Sequence, residues 1–145
     1  MKLSTRSRYG TRLILDMAKQ NSKTPIQLGE IARRQNISLK YLEQIIRPLK
    51  RANYIKSFRG SKGGHLLNRN PEDITVGEVV ALLEGSTYLT ACSKNPKSCS
   101  RSDKCLTRFL WMEASQAFFD RLNQITFADL LTSGRDAQAE ICDPA

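Results

Sequence analysis

The sequence is poor in histidine, in long apolar runs and, over its first half, in acidic residues. Each shortage excludes something. His65 is the single histidine, and no Ser/His/Asp grouping or paired-carboxylate arrangement accompanies it, so an enzyme with a small-molecule substrate is not expected. His65 follows a glycine-rich turn, where a surface or phosphate-contacting role is the expectation. The longest uninterrupted apolar run, Val79 to Leu83, is far short of the ~18 residues that a membrane span needs. The start, Met1-Lys2-Leu3-Ser4-Thr5-Arg6, carries charge with no apolar stretch behind it, unlike a secretory signal. A cytoplasmic protein with no membrane partner is expected.

What is present is more specific. The 145 residues suit one domain, and a hydrophobic fraction of 40% supplies a core and excludes wholesale disorder. The net charge of +9 is unevenly spread. Residues 1–72 hold 16 Lys/Arg against 4 Asp/Glu, a net of +12, and residues 73–145 hold 7 against 10, a net of −3. A basic excess gathered in one half points to a polyanion, either nucleic acid or an anionic membrane. The basic residues do not lie on one long amphipathic helix with an aromatic face, which favours nucleic acid.

Periodicity predicts mostly helix. Residues 7–20 place Tyr9, Leu13, Ile14, Met17 and Ala18 on one face, with Arg6, Arg8, Arg12 and Lys19 on the others. Pro25 breaks the pattern, and Ile26 and Leu28 suit a short strand. A short helix is expected over Gly29 to Gln35, a turn over Asn36-Ile37-Ser38, and a second helix to about Asn53, capped by Ser38 and kinked at Pro48. Leu42, Ile45, Ile46 and Leu49 form its inner face. Two short helices joined by a tight turn make a helix-turn-helix. Residues 54–58 alternate as a strand, Arg59-Gly60-Ser61-Lys62-Gly63-Gly64 is a hairpin tip, and His65-Leu66-Leu67 begins the return. An ordinary hairpin would need no cations at its tip, so a DNA-contacting wing is the better reading. Thr75 and Glu78 suit a reciprocal capping box for a helix through Leu83, which Gly85 ends. A polar loop over 91–105 precedes a long helix, roughly 103–124, with Leu106, Phe109, Leu110, Ala117, Phe118, Leu122 and Ile125 on a broad apolar face. Thr126-Phe127-Ala128-Asp129 suits the cap of a last short helix through Leu131.

The second helix of a helix-turn-helix enters the major groove with its N-terminal residues at base edges. Here those are Ser38, Leu39, Lys40, Tyr41, Glu43 and Gln44. Glu43 can accept from cytosine N4, and Gln44 can bond adenine N6 and N7. Arg47 lies farther along and suits a phosphate. Arg59, Ser61 and Lys62 are the wing-tip candidates.

Three of the four cysteines fall in one segment, Cys92-x6-Cys99-x5-Cys105. Thiolates are soft ligands for iron–sulfur clusters and zinc, and three within one loop can converge. The spacing lacks a C-x2-C pair and a nearby His, so it fits common zinc sites poorly. A regulatory disulfide and a small electron-transfer protein are the competing readings. Cys142 stands alone in the tail.

The segments Arg8-Tyr9-Gly10, residues 37–44 (ISLKYLEQ), 59–64 (RGSKGG), 74–80 (ITVGEVV), Cys105-Leu106-Thr107 and 125–130 (ITFADL) together span nearly the whole chain. In them the sequence resembles the small winged-helix bacterial regulators of the IscR/NsrR/CymR family, IscR most of all. The resemblance implies a homodimer held by the long helix, and promoter double-stranded DNA as partner, with Glu43 and Gln44 in the major groove and Arg59 in the minor groove. It also implies an iron–sulfur cluster, 2Fe–2S or 4Fe–4S, on Cys92, Cys99 and Cys105 that tunes DNA affinity. The first cysteine interval is one residue longer than the IscR pattern. Where IscR carries a His three positions after the third cysteine, this sequence has Arg108, a permanent cation. Where NsrR-like members take a carboxylate from near the partner's N-terminus, it has Arg8.

The expected fold is therefore mainly α with a small β wing. A winged helix-turn-helix DNA-binding domain occupies 1–83 and a cysteine cluster-binding loop 84–105. A dimerisation helix and final short helix follow over 106–132, then a flexible tail over 133–145.

Overall fold

A computed structural model describes residues 2–136 of the chain. Helix α1 spans Thr5–Gln20, two residues earlier than periodicity places it, because Ser4 caps it by accepting the Ser7 N–H at 3.1 Å. Leu13, Ile14, Met17 and Ala18 form its buried stripe, and Asn21 ends it in the left-handed region at φ 42°. On its inner face Gly10 lies against Leu83 of the later helix α4, Val76–Glu84.

Ile26 and Leu28 do not form the expected strand. Ile26 makes one antiparallel bridge to His65, and Leu28 already opens α2, Leu28–Gln35. Asn36, at φ 52°, turns the chain, and Ser38 caps α3, Leu39–Arg51, by accepting the Tyr41 N–H at 3.2 Å. Leu42, Ile45, Ile46 and Leu49 face inward as the spacing predicts. The helix runs through Pro48 without a break. The bond that proline removes is the one to the Gln44 carbonyl, and Gln44 faces solvent, where water can take its place.

The hairpin follows at once. β1 (Ile55–Phe58) pairs antiparallel with β2 (Gly64–Leu67) in the register Ile55↔Leu67 to Phe58↔Gly64. At its tip the Gly63 N–H reaches the Gly60 carbonyl at 3.0 Å. A Cβ on Gly63 would stand 2.2 Å from the Phe58 carbonyl oxygen, so the turn closes only on glycine. The paired N–H and C=O groups of Ile26 and His65, at 2.9 and 2.8 Å, fasten the return strand to the chain ahead of α2.

Thr75 caps α4 at the Glu78 N–H, 3.2 Å away, but the expected box is only half formed. The Glu78 carboxylate instead pairs with Arg69 Nη1 at 2.9 Å, and the Arg69 guanidinium also stacks 5.1 Å from the Tyr54 ring. The expected cap over residues 126–129 forms as a full reciprocal box: Thr126 and Asp129 exchange hydrogen bonds at 2.8 and 3.0 Å and open α7, Phe127–Asp136. That helix runs past Leu131 to Asp136, over the first residues of the expected tail, and residues 137–145, with Cys142, lie outside the described residues.

The cysteine segment is less plain a loop than its composition suggests. It folds into a short helical turn α5, Ala91–Lys94, and two 3-10 turns, Pro96–Ser98 and Ser102–Lys104. The long helix α6 then runs Leu106–Asn123, starting after the second of those turns rather than within it. Its apolar residues part company. Phe119 is buried against the core, while Leu106 is 82% exposed and Phe109, Leu110 and Trp111 are also exposed. The core sits between α1, α2, α3 and α4, closed by Phe119 of α6 and Phe127 of α7, the latter fully buried.

Candidate nucleic-acid interface and cysteine segment

Helix α3 divides its residues by depth. Lys40, Glu43, Gln44 and Arg47 are exposed, and so is Leu39, an apolar side chain at 45% exposure. The Ser38 oxygen is occupied by its capping bond, which leaves its O–H as what it can offer a base. Tyr41 is half-buried, because its ring meets Tyr9 of α1 edge to face with centroids 5.9 Å apart. At the hairpin tip Arg59, Ser61 and Lys62 are all exposed. The geometry thus offers hydrogen-bonding side chains on one helix and two cations on the hairpin that directly follows it.

His65 departs from its expected place. It is half-buried in β2, its Nδ1 lies 2.9 Å from Ser57 Oγ, and its backbone is the one that holds Ile26. Burial lowers its pKa, and the nearby Lys50 charge lowers it further. Two residues that the sequence reading passed over stand on the outer face of β1. Phe58 is 44% exposed, and Lys56 Nζ lies 5.8 Å from its ring centre. Their spacing of two along a strand was the available signal.

Cys92, Cys99 and Cys105 are all free thiols. Among the described residues no three His, Cys, Asp or Glu side chains stand close enough to hold a metal ion, so the expected convergence is not seen. The physical reason is local. Cys92 sits on α5 with Sγ 3.4 Å from Thr90 Oγ1, Cys99 follows the first 3-10 turn, and Cys105 precedes α6 with Sγ 3.2 Å from Thr107 Oγ1. The thiols thus stand on separate turns, and two of them have partners of their own. The donor chemistry still suits a cluster. The three groups are soft, and the Thr107 hydroxyl, the Arg108 N–H and the Arg108 charge hold the Cys105 thiol below its ordinary pKa. Arg108 Nε donates to the Cys92 carbonyl at 3.0 Å, tying one end of the segment to the start of α6.

Residues 3–133 match the Rrf2 family, described as iron-dependent transcriptional regulators. The chain belongs to the Rrf2 family. Its relatives include the protein rrf2 of Nitratidesulfovibrio vulgaris, 48% identical over 137 residues that cover 94% of this chain and 89% of that one. Among solved structures this Rrf2-family chain is similar to IscR of T. potens, at 34% identity and a TM-score of 0.79, covering 99% of this chain and 94% of the other. It is also similar to CymR, the global cysteine regulator of B. subtilis, at 32% identity and a TM-score of 0.74, covering 92% and 98%. The fold is that of these winged-helix transcriptional regulators, which are not enzymes, and the mainly helical chain with its two-stranded sheet agrees with the expected class. No helix among the described residues is long and apolar enough to cross a membrane.

Proposed function

We propose that this Rrf2-family chain binds promoter double-stranded DNA as a homodimer, and that Cys92, Cys99 and Cys105 hold an iron–sulfur cluster whose gain or loss tunes that binding. The observation that carries the DNA reading is the exposed row Lys40, Glu43, Gln44 and Arg47 on α3, in a half of the chain with net charge +12. Glu43 and Gln44 would read base edges, with Ser38, Leu39, Lys40 and Tyr41 beside them, while Arg47, Arg59, Ser61 and Lys62 would hold the backbone and minor groove. The exposed start of α6, Leu106 to Trp111, supports the dimer, since large apolar side chains left in water favour association. When bound, a cluster would supply a redox- and nitric-oxide-sensitive link between the cysteine turns. The chain's own contribution is three soft donors and Arg108, which joins the Cys92 turn to α6.

A second reading keeps DNA binding and replaces the cluster with a thiol–disulfide switch. It is supported by the likeness to CymR, titled a cysteine regulator. Anaerobic purification followed by iron and sulfide analysis separates the two. Stoichiometric iron and sulfide support the cluster, whereas a colourless protein with a reversible Cys–Cys link supports the switch. A parallel DNA titration between low and high salt tests both. Phosphate contacts release counterions and make the affinity fall steeply with salt. An absence of binding even at low salt would remove DNA binding and leave electron transfer as the alternative.

A further inference from the structure

One chain of polar and aromatic contacts runs from the middle of α1 to the first turn of α3. It begins at Asp16, a carboxylate buried within α1. Arg34 grips it with Nε at 3.2 Å from Oδ2 and Nη2 at 2.5 Å from Oδ1. Gln35, the last residue of α2, donates Nε2 to Oδ2 at 2.7 Å. The same Gln35 then accepts from Arg12 on its other side: Arg12 Nε reaches Oε1 at 3.1 Å, and Arg12 Nη2 reaches the Gln35 carbonyl. Arg12 in turn lies 5.3 Å from the centre of the Tyr9 ring, and Tyr9 meets Tyr41 edge to face at 5.9 Å. Tyr41 stands in the first turn of α3, where its N–H binds the capping Ser38.

A staple between α1 and α2 would need only Asp16 and Arg34. The additional members extend the contact beyond that purpose. Gln35 uses both ends of its amide, so its position is fixed by Asp16 on one side and handed to Arg12 on the other. Arg12 is exposed and contributes little to the core, yet it is held by two hydrogen bonds and an aromatic face. The last contact falls on the turn whose side chains would meet base edges. Discrimination between bases depends on placing such side chains to within about half an ångström.

We propose that Arg12 and Gln35 are positioning residues for base recognition: through Tyr9 they set where Tyr41 and the first turn of α3 stand, with Asp16 as the fixed end. This rests on the DNA-binding reading above. A phosphate contact by Arg12 is the competing role, and it leaves a different mark. A lost phosphate contact weakens all duplexes alike and lowers the salt slope by about 1. A lost positioning contact weakens the preferred duplex selectively and leaves the slope alone.

The test uses the full chain and a duplex that the wild-type protein selects from a random-sequence library, with a scrambled duplex of the same length as competitor. Arg12→Gln and Gln35→Ala are measured beside wild type for both affinities, for salt slope and for thermal unfolding. The expected result is a loss of about tenfold or more in the ratio of preferred to scrambled affinity, with the scrambled affinity and salt slope unchanged. Asp16→Asn, which disturbs a buried site, is expected to show the same loss if it folds, and the two exposed or half-buried variants carry the test if it does not. An unchanged ratio overturns the inference, and so does a salt slope reduced by about 1 in Arg12→Gln. If wild type itself selects no duplex over the competitor, the DNA-binding reading has failed, which is a separate result from an unchanged ratio.

Discussion

Gly10 of α1 and Leu83 of α4 meet so closely that a Cβ on Gly10 would stand 2.1 Å from Leu83 Cδ1 and 3.3 Å from Ile45 Cγ2. Leu83 and Ile45 are both buried, so neither has open space to retreat into. Helix propensity alone would favour Gly10→Ala by about 1 kcal/mol. Overpacking works the other way and costs about 1–3 kcal/mol in a well-packed core. Gly10→Ala is therefore expected to lower stability, as measured by urea unfolding. A gain in stability would show that α1 and α4 can separate without loss.

Arg59→Ala removes an exposed cation at the hairpin tip. Its expected effect is confined to binding, with affinity for a selected duplex down by about tenfold and the melting temperature unmoved. A gel-shift titration and a thermal melt on the same preparation check both. Unchanged affinity would take the wing out of the interface.

The exposed start of α6 gives a third prediction. Leu110→Glu places a charge among Leu106, Phe109 and Trp111, all exposed in the single chain. Burying an unpaired carboxylate in an interface is strongly unfavourable. On the proposed homodimer, sedimentation of this variant is expected to give the monomer mass and that of wild type the dimer mass at the same concentration. A dimer that survives would place the interface elsewhere.

His65 makes a prediction about pH. Burial first, and the Lys50 charge second, hold its folded pKa below the ordinary value. Between the two values the unfolded chain binds more protons than the folded one, so stability rises with pH there. It is complete above about pH 6.5, the ordinary histidine value, and is lost as the pH falls below it. Glu84 and Asp129 also have lowered pKa values, but their loss belongs to the more acidic carboxylate range. Urea midpoints from pH 5 to 8 are expected to fall on the acid side of 6.5, and His65→Asn is expected to flatten that fall. An equal fall in the variant would assign it to other groups.

What the sequence made legible was local. The Ser38 cap, the inward stripe of Leu42, Ile45, Ile46 and Leu49, the glycine hairpin and the Gly85 stop each depend on residues within a turn or two of one another. What escaped was decided over longer separations. Glu78 had the right spacing for a box with Thr75, but Arg69 competes for its carboxylate and takes it. Leu106 and Phe119 are equally apolar, and periodicity has no means of saying that one is bare and the other buried. The candidate interface residues were legible because a helix-turn-helix puts them at a fixed offset from the Ser38 cap. The contact from Arg12 to Gln35 was not, since it crosses between helices 23 positions apart. The cysteine spacing, likewise, did not foretell that Thr90 and Thr107 would engage two of the thiols on separate turns.

The clasp between Ile26 and His65 has a kinetic meaning. A two-stranded ribbon attached only at its base flaps freely, and whatever it touches must first arrest that motion. Here a third point of attachment lies next to the hairpin's tip, one residue beyond Gly64. The ribbon's freedom is surrendered when the chain folds rather than at an encounter. Displacing its tip means either breaking both hydrogen bonds to Ile26 or carrying the lead-in to α2 along with it.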